Sequence, residues 1–144
     1  MKVVDLNVLL YAVNADAPHH DRIVAWWERA LNGDETIGLA WTVLVGFLRI
    51  STHPTVFPAP LTAEASMAQI DAWLARDVVS LLTETRDHWP VLRDMLSATG
   101  VAGNLATDAH LAALAVTHGA TLASCDTDFG RFEHLRWENP LRDA

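Results

Sequence analysis

The chain has 144 residues, a formal charge of −8, one cysteine, and a composition that is 51% apolar. At that size one compact domain spanning residues 1–144 with a real hydrophobic core is the natural expectation, and a lone cysteine excludes an internal disulfide framework. The negative charge argues against a general nucleic-acid binder, since affinity for phosphate rests largely on Lys and Arg; a nucleic-acid substrate would need a divalent cation, a focused Arg cluster, or both.

No apolar run approaches the ~20 residues that cross a bilayer. Met1 leads straight into a strand-like segment, without the basic and then apolar order of a secretory signal. Together with the single Cys125, this points to a cytoplasmic protein.

In chain order, 2–5 reads as a short strand, because Val3 and Val4 are adjacent and β-branched, which suits burial on both faces. The apolar run 7–13 reads as a short helix. A second, amphipathic helix over 17–31 puts Ile23, Trp26, Trp27 and Leu31 on one side and ends at Asn32-Gly33. A strand over 36–40 precedes a helix over 41–51, which stops before His53-Pro54. Pro58 and Pro60 make 55–61 a loop. Thr62 caps a helix running to Arg76. A strand over 78–82, a helix over 87–98 and a turn at 100–103 follow. Next comes a strongly apolar helix over 105–118, with Asn104 as a candidate N-cap and Gly119 as its stop. Strands over 121–124 and 135–137 complete the pattern. Strands alternating with helices, without hairpin signals, imply an α/β fold with a mostly parallel central sheet flanked by helices on both faces. Ligands of such folds sit outside the carboxyl ends of the strands.

Three aspartates stand out. Asp5 and Asp126 each follow a strand, so both belong to the carboxyl edge. The plainer role of either is a turn or helix cap. Asp108 shares a helix face with Leu111, Ala112 and Ala115, at i+3, i+4 and i+7, which places it on the inward side. A carboxylate there is costly unless it is paired or holds a cation, although a first-turn Asp also favours the helix dipole. Clustered carboxylates suit a hard cation such as Mg2+. Asp128 and Asn7 are further candidates, and Thr107 or Ser124 could support the site by hydrogen bonding. His19-His20-Asp21 lacks zinc-site spacing. Trp26, Trp27 and Trp73 read as core or dimer packing. No GxSxG elbow, Walker loop or Rossmann loop is present.

Four segments carry a family resemblance. They are Val4-Asp5-Leu6-Asn7, the run from Trp41 to His53-Pro54, the run from Gly103-Asn104 through Asp108 to Ala112, and Ser124-Cys125-Asp126-Thr127-Asp128-Phe129. In this order and spacing the chain resembles a PIN-domain ribonuclease of the VapC toxin type, from type II toxin–antitoxin systems. The resemblance spans nearly the whole chain. It implies a PIN-like domain whose carboxylates bind Mg2+ or Mn2+ and which cuts RNA phosphodiester bonds. It also implies a homodimer and a cognate VapB-type antitoxin that blocks the site. Asp5 matches the first family carboxylate, Asp108 the third and Asp126 the fourth, as catalytic and metal-binding residues.

The second family carboxylate is a Glu three residues before an Arg. Here Arg49 is present, but Gly46 stands in the Glu position. The site is one negative charge short, which implies a weaker and more hydrated cation and puts a second metal in question. The rival reading is a degenerate, non-catalytic PIN protein that binds RNA or its antitoxin without cleavage.

Overall fold

A computed structural model describes residues 1–100, 102–103 and 105–142. The first strand, β1 (Lys2–Val4), ends one residue before the expected limit. Asp5 leaves the strand with φ −78° and ψ 159° and caps α1 (Leu6–Val13) by accepting from the Leu6 N–H. The next helix, α2 (His20–Leu31), starts three residues later than its periodicity suggests. Residues 14–19 instead form successive turns, with the Ala17 N–H donating to Asn14 O and the His20 N–H to Ala17 O.

After β2 (Ile37–Ala40) the chain turns directly into α3 (Trp41–Ser51). The loop over 55–61 is irregular as expected, pinned by the Leu61 N–H on Ser51 O and by the buried Phe57. Thr62 caps α4 (Ala63–Leu74), its hydroxyl accepting from the Ala65 N–H at 3.0 Å. The remaining regular elements are β3 (Val79–Leu82), α5 (His88–Thr99), α6 (Leu105–Thr117), β4 (Thr121–Ala123) and β5 (Trp137–Glu138). Gly100 and Gly119 close α5 and α6 at φ +70° and +64°, the left-handed backbone that favours glycine. The expected cap at Asn104 lies outside the described residues.

The last strand is displaced by two residues from its expected start. Leu135 and Arg136 remain in the connection, which also contains a 3-10 helix (Thr127–Arg131) that the sequence pattern did not announce. Phe129 is the buried anchor of that turn.

The strand order is β3-β2-β1-β4-β5, and every pairing is parallel. Val3 and Val4, like Leu122 and Ala123, are consecutive and fully buried. Successive strand residues face opposite sides, so both faces of the sheet centre are covered, as the parallel reading requires. Trp26, Trp27 and Trp73 are buried, with Trp73 edge-on to Trp27 and to Phe47. They are core residues.

The strand order reverses at β1. From there the chain moves outward through β2 and β3, then returns to lay β4 on the other side. Such a switch point opens a crevice at the carboxyl ends of the two strands that flank it. The register Val4↔Ala123 puts Asp5 level with Ser124 at that crevice.

Candidate active site at the switch point

Asp5 is the most tightly held of the candidate residues. Its Oδ1 accepts from the Leu6 N–H at 2.7 Å. Its Oδ2 accepts from the Ser124 hydroxyl at 2.7 Å and from Asn7 Nδ2 at 3.2 Å. Burial pushes its pKa up against the lowering effect of Ser124 and Leu6, and Asp126 adds to the rise.

Ser124 is fully buried and ties the two strand ends together. Besides donating to Asp5, its oxygen accepts from Asn7 Nδ2 at 3.1 Å and from the Asp126 N–H at 3.1 Å. Asn7 completes the clamp, because its Oδ1 accepts from the Cys125 N–H at 3.1 Å. The sequence offers Asn7 as a further candidate and Ser124 as a hydrogen-bonding support but does not name their partners across the β1–β4 crevice, which lie 117 to 119 residues away in sequence. Asn7→Ala is expected to cost about 1–3 kcal/mol of stability, since it strips partners from Asp5, Ser124 and the Cys125 amide. Urea unfolding measures this, and an unchanged midpoint would contradict the clamp.

Asp126 caps the 3-10 helix, its Oδ1 accepting from the Asp128 N–H at 2.9 Å. Asp108 lies in the first turn of α6 and is partly buried. Its pKa is pushed up to about 6, first by burial and then by the negative charges of Asp126, Asp5 and Asp128, with Arg131 pulling the other way. Asp108 is half-buried on a helix whose Leu111, Ala112 and Ala115 are buried, and the charges of Asp126 and Asp5 act on it. Asp128 is exposed and paired with Arg131 at 3.3 Å, at the rim of the cluster.

Among the described residues, no three His, Cys, Asp or Glu side chains already stand as a ready metal-ligand set. Asp5 and Asp126 each turn one oxygen to a neighbouring backbone N–H. The donor chemistry nonetheless suits a hard cation: the side chains offer oxygen ligands only, and burial and then the neighbouring carboxylates raise the Asp108 pKa, a rise that a bound cation would oppose.

Gly46 is buried on α3. A Cβ built there would come 2.8 Å from Leu6 Cδ2. The volume that a side chain at position 46 would enter is thus filled by the residue next to Asp5. His110 faces away from the aspartates: its Nδ1 lies 2.9 Å from His88 Nε2 and its Nε2 lies 3.6 Å from Glu84. A cavity of about 850 Å3 between α5, α6 and residues 131–134 is mainly apolar and is lined by none of the three aspartates.

Carboxylates at the switch point of an all-parallel sheet offer oxygen ligands where folds of this kind bind their ligands. The PIN domain pattern matches residues 2–135, and the chain belongs to the PIN-domain family. It is 47% identical over 140 residues to Ribonuclease VapC37 of Mycobacterium tuberculosis, covering 97% of each chain. It is 42% identical over 143 residues to Ribonuclease VapC33 of the same species, covering 99% of this chain and all of the relative. Solved structures share the fold. VapBC2 from Rickettsia felis, bound to a DNA fragment from its promoter, matches with a TM-score of 0.71 at 22% identity over 96% of this chain and 97% of that one. Mycobacterium tuberculosis VapC20, a Sarcin-Ricin loop cleaving toxin, matches with a TM-score of 0.67 at 18% identity over 94% and 99%. Among the described residues, no helix is long and apolar enough to cross a membrane.

Proposed function

We propose that this chain is the toxin of a type II toxin–antitoxin pair, a divalent-metal-dependent endoribonuclease that works in the cytoplasm as a homodimer and is held inactive by a VapB-type antitoxin. Near full-length identity of 47% to a protein named a ribonuclease supports the reaction. Structural neighbours described as VapBC complexes support the partner. The observation that carries the reading is the joining of Asp5 and Asp126 at the carboxyl ends of β1 and β4, where the Ser124 hydroxyl donates to Asp5 Oδ2 and accepts from the Asp126 N–H.

In this reading Asp5, Asp108 and Asp126 hold Mg2+ or Mn2+. When bound, the cation supplies charge neutralisation at the phosphate and a more acidic water. The protein's own contribution is positional. Ser124 and Asn7 fix the Asp5 carboxylate by hydrogen bonds, the kind of support that keeps a ligating group oriented. Asp128 and Arg131 close the rim. The chain's net charge of −8 repels RNA, so metal and substrate reinforce each other's binding.

Gly46 favours one rival, a PIN protein that binds RNA or its antitoxin without cutting. The two readings separate on purified protein incubated with total RNA and Mg2+. Products that appear with wild type, disappear in EDTA and are absent from Asp5→Asn establish the nuclease. RNA binding without product establishes the rival. Full cleavage by Asp5→Asn would remove the aspartate mechanism.

A further inference from the structure

We propose that the outer face of α3 is a track for single-stranded RNA, with Trp41 stacking on a base beside the scissile phosphate and Arg49 meeting a phosphate further along. The proposal rests on the ribonuclease reading above and adds the residues that position the strand. Trp41 is the first residue of α3, directly after β2. Continuing the β1–β2 register from Val3↔Gly38 puts Asp5 level with Ala40. Neighbouring strands lie ~4.8 Å apart and successive Cα atoms 3.8 Å apart, so Trp41 starts within about 9 Å of the Asp5 backbone.

Trp is highly buried on average, yet Trp41 is 55% exposed. Val45, one turn on, is 57% exposed, and Arg49, a further turn on, is exposed as well. Residues at i, i+4 and i+8 share one face, so the stripe runs aromatic, apolar, cationic, away from Asp5. Among the described residues Arg49 makes no ion pair with an acidic side chain. The chain has only ten Lys and Arg against eighteen Asp and Glu. General phosphate attraction therefore cannot hold the substrate, whereas base stacking on an aromatic face works without net positive charge. A track beginning at the catalytic edge fits that need.

The test uses a fluorescein-labelled, single-stranded RNA 12-mer of mixed sequence, bound to the cleavage-deficient Asp108→Asn protein and followed by anisotropy. Adding Trp41→Ala is expected to weaken binding about 5- to 150-fold, the range that one base–aromatic stack carries. Trp41→Phe is expected to restore most of it. Arg49→Gln is expected to reduce the slope of log affinity against log salt by about one. In the protein with Asp108 intact, Trp41→Ala is expected to raise KM more than it lowers kcat. Unchanged 12-mer affinity and KM in Trp41→Ala, while wild type still cleaves RNA, would overturn the track alone. So would conversion of a dimer to a monomer in sedimentation velocity with RNA affinity per chain unchanged, which would assign the face to a second copy. A wild type that cuts no RNA, together with an Asp108→Asn protein that binds none, would instead overturn the functional reading beneath it.

Discussion

Asp108→Asn is expected to abolish RNA cleavage and at the same time make the metal-free protein more stable at pH 7.5. The two effects have one cause. Burial of the Asp108 carboxylate, and then the charges of Asp126, Asp5 and Asp128, push its pKa up to about 6 from an ordinary 3.8. A raised folded-state pKa means that the folded protein holds this proton more tightly than the unfolded chain. Below pH 3.8 both states are protonated and Asp108 costs nothing. As pH rises through the window from 3.8 to about 6, stability is lost, and above it the cost is complete. An uncharged Asn escapes that cost.

One pKa unit corresponds to 1.36 kcal/mol, but Asp108 is far from fully buried and solvent screens much of the repulsion. A gain of ~1 kcal/mol remains, or about 2–4 °C in melting temperature for a chain of this size. The gain should vanish below pH 4. Added Mg2+ should raise the melting temperature of wild type and do little for Asp108→Asn, because ligand binding to the folded state stabilises it only where the site exists. Cleavage should fall at least about a thousandfold, since a catalytic cation contributes several kcal/mol and each 1.36 kcal/mol is tenfold in rate. A melting temperature that stays level or drops at pH 7.5 would show that Asp108 is not held against its own charge.

Most of this frame is visible in local sequence pattern. Adjacent β-branched or apolar residues such as Val3-Val4 identify buried parallel strands, and the i+3, i+4 and i+7 neighbours of Asp108 identify its inward face. What stays hidden depends on residues distant in the chain. Nothing near Asn7 announces that its amide joins Asp5 to Ser124 and Cys125, because that depends on β4 lying beside β1. The turn after Asp126 is equally opaque: Thr127-Asp128-Phe129 reads as a loop until Phe129 is seen to be buried. The late start of α2 has a local cause that periodicity misses. Apolar spacing continues back to Ala17, but the Ala17 N–H on Asn14 O and the His20 N–H on Ala17 O close residues 14–20 into turns, and the helix begins only at His20. The displacement of β5 has a tertiary cause, since Leu122 and Ala123 pair with Trp137 and Glu138 and leave Leu135 outside the ladder.

Gly46→Glu is expected to tighten Mg2+ binding and to destabilise the metal-free fold. Sequence alone suggests only the first effect, from one added negative charge. The second comes from Leu6. A Cβ at position 46 would stand 2.8 Å from Leu6 Cδ2, so the Leu6 side chain must swing away. Overpacking of this kind costs about 1–3 kcal/mol, partly offset because replacing an interior helical glycine returns about 1 kcal/mol. Leu6 follows Asp5 directly and its N–H holds the Asp5 Oδ1, so the strain is delivered next to a proposed ligand. Leu6→Ala should relieve it. In a double-mutant cycle, the Leu6→Ala, Gly46→Glu pair should lose less stability than the sum of the two single changes, by about 0.5–3 kcal/mol, the coupling expected of residues in contact. Mg2+ affinity by titration calorimetry should rise on the order of tenfold in the double variant, because the charge count of the ligands tunes affinity. Additive stability losses would mean that Leu6 does not occupy the space of the missing carboxylate. Affinity unchanged in both variants would mean that position 46 does not look onto the cation at all, and that three aspartates are the whole ligand set this fold can gather.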